Sequence, residues 1–339
     1  MLTKFLNIQM DFIFAIYIIT SFLVLFVCAN LSYKFKLLDL PNNRKLHTNP
    51  TAYTGGIGLS FIYLISLKFF NFYNLDLNLI ISISFLIAVV GLVDDKFRLN
   101  TGGKLSLQIL PIFYLIFIEK MHLNSLGDYD YFKIDLQSFS ATFTLLSLLF
   151  LINAFNYFDG IDGSLSFTAI SVLVILFFLV PDKSNKIFLI TILIPLITFL
   201  FFNFSIFNLP KLFLGDSGSL LLGFLISFIL IFFANQKIVH PILLAWSISI
   251  FVYEFLSLNI KRISLKKNPF KAGLDHLHHK LLRKTNSIFI TNIFLIFLNI
   301  VLFLIGYIAF VLVNPVTSIM IYIFLFFVFF LLRIKFLDN

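Results

Sequence analysis

Two adjacent carboxylates, Asp94 and Asp95, stand at the end of a long apolar stretch. Three cations follow within ten residues: Lys96, Arg98 and Lys104. Two anions this close raise each other's pKa unless a cation offsets them. The pair therefore suits either the binding of a metal-bound polyphosphate or the removal of a proton from a phosphate. A solvated helix end, neutralised by the nearby cations, explains the pair equally well.

A second polar segment, residues 153–163, reads Asn-Ala-Phe-Asn-Tyr-Phe-Asp-Gly-Ile-Asp-Gly. Asn153 and Asn156 share a face at the end of a helix, and Asp159 continues that face. Asp162 adds a second carboxylate, and the two glycines permit a tight turn with accessible backbone amides. Such oxygen donors suit Mg²⁺ on a diphosphate, because Mg²⁺ prefers oxygen ligands and keeps several waters. A helix C-terminus capped by Asn and Gly is the structural alternative.

Asp216 lies between two apolar stretches in the segment Gly-Asp-Ser-Gly-Ser. A lone carboxylate among Gly and Ser is typical of a residue that caps the following helix. It is equally typical of a metal ligand beside a helix N-terminus, where backbone amides attract phosphate. Both interpretations stay open from the sequence.

Three imidazoles fall within four residues of a basic segment: His276, His278 and His279. A Zn²⁺ site is one interpretation. The many neighbouring cations favour anion binding instead, since imidazoles donate hydrogen bonds to phosphate oxygens. The Lys and Arg residues could also anchor the segment on anionic lipid. Upstream, Glu254 shares a helical face with Lys261 and Arg262, and we predict that it holds them by charge pairing.

A fifth polar segment, residues 39–56, carries Arg44, Lys45 and His47. A proline near its start and a proline and two glycines near its end predict a compact loop. A solvated connector is the alternative to a role in substrate binding.

The elements that position these segments are apolar. The chain has 339 residues, of which 60% are hydrophobic and 12% charged, and its mean hydropathy is +1.02. We count eleven apolar stretches of span length, centred near residues 20, 64, 86, 111, 148, 173, 195, 226, 250, 299 and 325. The sequence therefore predicts an all-α polytopic membrane protein in which residues 1–339 form a single integral membrane catalytic domain. Cys28, the only cysteine, excludes an intramolecular disulfide and a Cys-based metal site.

The distribution of cations predicts the orientation. With the N-terminus outside and eleven spans, 18 of the 25 Lys and Arg residues lie inside, as the positive-inside rule requires. The C-terminus is then cytoplasmic, and so are the five polar segments, residues 39–56, 94–104, 153–163, 208–219 and 261–284. Packing of the helices is expected to assemble them into one site. The net charge of +9 thus needs no nucleic-acid partner. The outer segment, residues 119–140, is predicted to form a small hairpin.

Taken in order, the motifs resemble the polyprenyl-phosphate N-acetylhexosamine-1-phosphate transferase family, within glycosyltransferase family 4. The resemblance covers nearly the whole chain and includes Asp94-Asp95, the 153–163 string, the Gly-Asp-x-Gly-Ser block and the His-x-His-His segment. The last of these, together with the Arg44-Lys45-x-His47 string, looks like the branch that transfers GlcNAc-1-phosphate for O-antigen, enterobacterial common antigen or teichoic acid. The peptidoglycan branch typically has Pro-Ile-His-His-His-Phe-Glu there. Glu254 is a departure, since the family more often has Asp.

The resemblance implies transfer of an N-acetylhexosamine-1-phosphate, with GlcNAc-1-phosphate favoured, from a UDP-sugar to undecaprenyl phosphate, with release of UMP. It implies Mg²⁺, replaceable by Mn²⁺, bound by Asp216 and Asn156. The implied catalytic residues are Asp94, Asp95, Asp159 and Asp216, of which Asp94 or Asp95 deprotonates the lipid phosphate. The implied substrate-binding residues are Arg44, His47, Lys104, Asn153, Asp162, Arg262, His276, His278 and His279.

The expected partners are the UDP-N-acetylhexosamine, undecaprenyl phosphate, membrane lipid and a second copy of the chain in a homodimer. The expected location is the inner (plasma) membrane, with the site on its cytoplasmic face. A phospho-N-acetylmuramoyl-pentapeptide transferase of peptidoglycan synthesis is one alternative. A membrane transporter is another, although transport sites generally place ionisable groups near the bilayer midplane. Here the middles of the apolar stretches are nearly free of charge.

Overall fold

The computed structural model describes residues 2–41, 49–70, 72, 74–269 and 273–337. Within them the chain is overwhelmingly helical. The helices are α1 Leu2–Lys34, α2 Gly55–Phe70, α3 Leu75–Phe97, α4 Thr101–Phe113, α5 Ser140–Asn156, α6 Ser164–Leu179, α7 Lys183–Asn203, α8 Gly215–Asn235, α9 Pro241–Ser247, α10 Ser249–Ser264, α11 Leu277–Thr285, α12 Ile288–Leu312 and α13 Pro315–Leu332. Short 3₁₀ turns lie at Gln137–Phe139 and Ile206–Asn208, and π turns at Tyr114–Ile118 and Arg333–Leu337.

Two small antiparallel pairs of strands interrupt the helices. Strand β1 (Leu38–Asp39) pairs with β2 (Thr51–Ala52), and β3 (Ser125–Asp128) pairs with β4 (Lys133–Asp135). The second pair lies within the segment 119–140, so the predicted hairpin is confirmed.

The long helices are apolar enough to cross a membrane. Eight described helical segments have the length and hydropathy of a membrane span when α4, α5 and α13 are counted with the 3₁₀ or π turns that adjoin them. The helices α9 and α10 form a further apolar pair bent by 70° at Ile248. The remaining apolar stretches are α2 and α6, each of 16 residues. All eleven predicted stretches are therefore helical, and the prediction of an all-α polytopic membrane protein is confirmed. The number of helices that cross, and the side on which each terminus lies, stay predictions.

The chain divides into two compact units. The first comprises Met1–Leu99 and Asp182–Leu221. Inside it, two buried tyrosines tie α1 and α2 to α7: the hydroxyl of Tyr17 donates to the carbonyl of Thr191 (2.9 Å), and that of Tyr63 donates to the carbonyl of Ile192 (3.2 Å). Buried hydroxyls that find carbonyl partners on a neighbouring helix stabilise helix association where water is scarce.

The second unit comprises Asn100–Pro181 and Leu222–Asn339. A polar network joins α6, α9 and α12, in which the side-chain amide of Asn299 donates to the Ser171 hydroxyl (2.9 Å) and the Ser247 carbonyl (3.2 Å). A second contact joins α9 to α13, where the Trp246 indole donates to the Ser318 hydroxyl at 2.9 Å. These contacts hold the helices from which the site segments of this unit project.

Candidate functional site

Asp95 joins the end of α3 to the start of α8 in the first unit. Its Oδ1 accepts a hydrogen bond from the Asp216 amide at 3.1 Å, and its Oδ2 accepts one from the Ser217 amide at 3.3 Å. The first amides of a helix have no partner within the helix, and a carboxylate there also interacts favourably with the helix dipole. Asp95 therefore caps α8 from another helix, and this fixes the backbone at Asp216.

Two glycines make this approach of α3 to α8 possible. A Cβ at Gly91 would lie 2.4 Å from the Ser217 Cα, closer than side chains can pack. Gly215 has a φ of +72°, in the left-handed region that glycine adopts without strain. A Cβ there would lie 2.7 Å from the Asp95 Oδ2. Either side chain would push Asp95 away from the helix that it caps.

Asp94 occupies a different position from its neighbour. Its carboxyl group is buried, and its Oδ1 accepts a hydrogen bond from the Leu99 amide at 3.0 Å. Arg98 adopts a left-handed conformation and donates its amide to the Asp94 carbonyl at 2.7 Å, which ends α3. Asp94 therefore closes the C-terminus of α3, whereas Asp95 reaches α8.

Asp216 lies in the first turn of α8 and is half-buried. Both interpretations of this segment were open from the sequence. The backbone of Asp216 takes part in a cap, but Asp95 supplies the capping carboxylate for the Asp216 amide. The Asp216 side chain thus adds a second negative charge at the positive end of a helix dipole.

The segment 153–163 forms the turn between α5 and α6 in the second unit. The Tyr157 amide donates to the Asn153 carbonyl (3.0 Å), and the Asp159 amide donates to the Asn156 carbonyl (3.2 Å). Gly163 has a φ of +77° where α6 begins. The tight turn predicted for this segment is confirmed. Asp162 is held through its carbonyl, which accepts a hydrogen bond from the Asn292 side chain of α12 at 2.8 Å.

The histidine segment packs directly against this turn. A Cβ at Gly160 would lie 2.1 Å from the His278 Nε2 and 2.8 Å from the His279 Nε2. His276 is the N-cap residue of α11, and its ring lies 4.8 Å from that of Tyr157. Two motifs more than a hundred residues apart in the sequence thus form one cluster of amide, carboxylate and imidazole groups.

Burial keeps these imidazoles neutral. Burial lowers the pKa of His276 to about 3 and lowers that of His278 well below its usual value; burial and the positive charge of Arg283 lower that of His279. The Nδ1 of His276 and the Nε2 of His278 are buried and lack hydrogen-bond partners among the described residues. A buried polar atom without a partner is costly. Phosphate oxygens are acceptors that a neutral imidazole N–H can use.

Arg262 supports the chain just before the histidines. Its guanidinium makes two hydrogen bonds to the Asp275 carboxylate, at 2.6 and 3.0 Å, and a third to the Pro269 carbonyl at 2.6 Å. Burial raises the pKa of Asp275, but the hydrogen bonds and charge of Arg262 outweigh it and lower this pKa to about 2. Arg262, predicted as a substrate-binding residue, thus has an ion-pair partner within its own unit.

Glu254 and Arg262 form no direct ion pair among the described residues, so their predicted pairing is wrong in that form, although the Glu254 charge still raises the pKa of Arg262. The Glu254 carboxylate accepts two hydrogen bonds from Arg333, both of 2.9 Å. Glu254 and Arg262 are eight residues apart in α10, which separates them by about 12 Å along the helix axis. That distance is too long for a direct ion pair unless both side chains extend toward each other. Each therefore pairs with a residue from another segment.

Arg333 is part of this cluster although the sequence did not predict it as a site residue. It is 1% exposed, as is Glu254, and it also donates to the Asp275 carbonyl at 2.7 Å. A charge at the end of an apolar helix is a weak signal of a buried partner. Nothing in the sequence identifies that partner, which lies 79 residues away.

Three predicted substrate-binding residues remain: Lys104, Arg44 and His47. Lys104 is half-buried in the first turn of α4, whose N-cap residue, Asn100, accepts a hydrogen bond from the Gly103 amide at 2.7 Å. Arg44 and His47 lie outside the described residues.

Within the described part of the chain, no three His, Cys, Asp or Glu side chains are arranged to hold a metal ion. Zn²⁺ sites in proteins generally need three or four such ligands. Mg²⁺ needs fewer, because it usually binds one or two carboxylates together with waters and substrate phosphates. Asp216 and Asn156, the ligands that the resemblance implies, carry oxygen donors of the kind that Mg²⁺ prefers.

Comparison with known proteins supports the resemblance. The family model for glycosyl transferase family 4 matches residues 77–234. This region includes Asp94, Asp95, the 153–163 segment and Asp216, and it ends before the histidine segment.

Several curated relatives share the name undecaprenyl-phosphate alpha-N-acetylglucosaminyl 1-phosphate transferase. The protein of Salmonella typhi is 25% identical over 280 residues, which cover 79% of this chain and 75% of the relative. That of Yersinia pestis is 27% identical, covering 78% and 74%. That of Pasteurella multocida is 28% identical, covering 78% and 76%. The resemblance predicted from the motifs is thereby confirmed: residues 77–234 match the glycosyl transferase family 4 model, and the chain is similar to these relatives over most of its length.

Proposed function

We propose that this protein transfers N-acetylglucosamine-1-phosphate from UDP-N-acetylglucosamine to undecaprenyl phosphate and so starts a lipid-linked cell-envelope polysaccharide. The observation that carries the proposal is the packing of His278 and His279 against the turn at Gly160. It joins imidazoles, of which His276 and His278 each have one buried ring nitrogen without a hydrogen-bond partner among the described residues, to a turn rich in amide and carboxylate oxygens. The names of the relatives support the same reaction.

The reaction exchanges one phosphoanhydride for another. An oxygen of the lipid phosphate attacks the phosphorus next to the sugar, and the bond from that phosphorus to the bridging oxygen breaks. The bridging oxygen leaves with UMP, and the product is a sugar linked to the lipid through a diphosphate. Phosphoryl transfer of this kind depends on alignment and charge stabilisation more than on covalent chemistry by the protein.

In the second unit we assign the imidazoles to the phosphate oxygens. A neutral imidazole donates one hydrogen bond and accepts one, and His276 and His278 each have a buried ring nitrogen without a described protein partner. Asn153, Asp159 and Asp162 supply amide and carboxylate oxygens for the nucleoside and the sugar. Lys104 adds a cation for the diphosphate. Arg262 supports this arrangement through Asp275.

In the first unit we assign Asp94 to the proton of the lipid phosphate. Both carboxylate oxygens of Asp95 accept hydrogen bonds from the amides at the start of α8. We therefore assign Asp95 to the positioning of Asp216 rather than to the role of base. Asp216 is the proposed metal ligand: its carboxylate would hold the ion, and the helix N-terminus beside it favours the anionic diphosphate.

We propose Mg²⁺ as the cofactor, with Mn²⁺ able to replace it, and Asp216 and Asn156 as its protein ligands. Bound there, the ion would neutralise and orient the diphosphate. The chain's own residues would hold that ion and the two phosphates and exclude competing water. We further propose that the protein lies in the inner membrane with its site on the cytoplasmic face, where UDP-sugars are found, and that it can form a homodimer.

A donor panel tests the proposal. Purified protein in detergent receives undecaprenyl phosphate and, in separate reactions, UDP-GlcNAc, UDP-GalNAc, UDP-glucose or UDP-N-acetylmuramoyl-pentapeptide. We expect UMP release with UDP-GlcNAc that requires the lipid. Release only with the pentapeptide donor would support the peptidoglycan alternative. No UMP with any donor would refute the proposed function.

A further inference from the structure

The two backbone groups that flank His276 are held by one buried ion pair. On one side of His276, the Asp275 carbonyl accepts a hydrogen bond from Arg333 at 2.7 Å. On the other side, the Leu277 amide donates to the Glu254 Oε1 at 2.9 Å. Arg333 and Glu254 are themselves joined by two hydrogen bonds of 2.9 Å. Three segments that are distant in the sequence therefore converge at the start of α11.

We propose that Arg333 and Glu254 are positioning residues that fix the histidine segment against the Gly160 turn. The inference rests on the proposed function, in which His276, His278 and His279 bind phosphate oxygens. Neither Arg333 nor Glu254 is assigned a contact with substrate. Their effect on the reaction passes through the backbone of residues 275–277.

The geometry explains why a pair of opposite charges is needed. The carbonyl of Asp275 needs a donor, and the amide of Leu277 needs an acceptor. The Arg333 guanidinium supplies the donor, and the Glu254 carboxylate supplies the acceptor. Because both side chains are 1% exposed, water cannot easily replace either one. Loss of one partner would leave the other as an uncompensated buried charge.

The position of Arg333 in the chain makes the link unusual. It opens the π turn Arg333–Leu337, directly after the apolar helix α13. Its Nη2 reaches both Glu254 and Asp275. The C-terminal helix thus contributes to the histidine segment through one side chain, although α13 itself lies outside the matched family region.

The pair could act merely as an anchor for the end of α13. If the pair is only an anchor, its substitution should change the amount of folded protein and leave the turnover of each folded molecule unchanged. If the pair positions the histidines, its substitution should lower the turnover of each folded molecule, because contacts to the phosphates stabilise the charge that is transferred. The two roles therefore separate by kcat measured on folded protein.

The test compares Arg333→Gln and Arg333→Lys with Lys335→Gln, a control in the same turn. Lys335 is exposed, and the control removes the same charge two residues away. Two quantities are measured: hydrogen–deuterium exchange of peptides covering residues 273–285, and kcat and KM for UDP-GlcNAc, normalised to folded protein by size-exclusion chromatography.

For Arg333→Gln we expect faster exchange at the start of α11 and a kcat at least tenfold lower, with KM changed less than about threefold. Arg333→Lys keeps a cation, so its exchange rate and its kcat should lie between those of Arg333→Gln and those of the wild type. Lys335→Gln should match the wild type. Wild-type exchange and wild-type kcat in Arg333→Gln would overturn the inference, as would equal changes in the control.

Two further outcomes are also decisive. If Arg333→Gln does not fold, Arg333→Lys and Glu254→Asp carry the comparison, and wild-type exchange and kcat in both would overturn the inference. If the wild type itself releases no UMP, the proposed function fails, while the exchange experiment still shows whether Arg333 orders residues 275–277. Failure of the function and failure of the inference are thereby distinguished.

Discussion

The carboxylate of Asp95 accepts a hydrogen bond from the backbone amide of Asp216, so that the last turn of α3 holds the first turn of α8. The two acids look equivalent as parts of separate motifs in the sequence. In the structure one supports the other. This difference gives each acid of the first unit its own expected response to substitution.

Asp216→Asn should lower the rate of UMP release at least 100-fold and leave the fold intact. The substitution keeps the backbone amide that Asp95 binds and removes only the charge that we assign to the metal. Thermal unfolding and UMP release measure the two effects, and Asp11→Asn, at an exposed position of α1, is the control. Turnover near that of the wild type would remove Asp216 from the mechanism.

Asp95→Asn should lower stability as well as activity. An amide side chain has one acceptor oxygen, so it cannot accept from both the Asp216 and Ser217 amides in the way a carboxylate does. Loss of a cap typically costs about 1 kcal/mol. We expect a lower unfolding temperature for this variant than for Asp216→Asn. Equal unfolding temperatures would argue against the cap as a source of stability.

Gly160→Ala should lower kcat sharply with little effect on the first unit. The added methyl group would lie 2.1 Å from the His278 Nε2 and must displace that imidazole. Gly102→Ala is the matched control, since its nearest neighbour would be the Asn100 side-chain oxygen at 3.6 Å. An alanine in a helix is favoured by up to about 1 kcal/mol over glycine, so the control should retain or gain stability. Full activity in Gly160→Ala would contradict the assigned role of His278.

Stability should fall as the pH decreases from neutrality. The pKa of His276 is about 3 in the folded protein and about 6.5 in an unfolded chain. Between these values the unfolded chain binds the additional proton, so the free energy of unfolding decreases as pH falls from about 6.5 to 3. At pH 5 this effect amounts to about 2 kcal/mol for this group.

Denaturant titration at pH 7.5 and pH 5 measures that difference, and His276→Gln should reduce it. The ion pair of Asp275 does not interfere with this measurement. The pKa of the Asp275 carboxyl group is lowered to about 2, so the stabilisation by this ion pair is lost only below about pH 4. An equal pH dependence in the variant and the wild type would show that His276 is not buried in its neutral form.

Removal of divalent cations should stop the reaction reversibly. An excess of EDTA is expected to abolish UMP release, and Mg²⁺ or Mn²⁺ added beyond the chelator should restore it. Unfolding temperature in EDTA serves as the control for loss of structure. Sustained turnover in EDTA would contradict the proposed metal dependence.

Much of the fold follows from hydropathy alone. Every apolar stretch became a helix because a chain this apolar must satisfy its backbone internally in a membrane. The hairpin at β3–β4 and the turn before Gly163 were also predictable, since short polar segments with glycine favour turns. These are local effects that nearby residues determine.

The side-chain pairings of the site were harder to predict from the sequence. Glu254 was expected to pair with Arg262 because they share a helix face, yet each pairs with a residue from another segment. Likewise, Asp95 caps a helix that begins 120 residues later. Such contacts depend on how helices pack, and one sequence contains no direct record of that packing. The burial that makes the imidazoles neutral is hidden for the same reason.

The most direct test of the proposed reaction follows the phosphorus next to the sugar. UDP-GlcNAc labelled with ³²P at that position is incubated with purified protein and undecaprenyl phosphate, and the lipid and aqueous fractions are separated. Transfer of a sugar-phosphate predicts that the label enters the lipid with the sugar and that unlabelled UMP remains in water. Label that stays in the aqueous phase as UDP, while the sugar enters the lipid, would contradict the account.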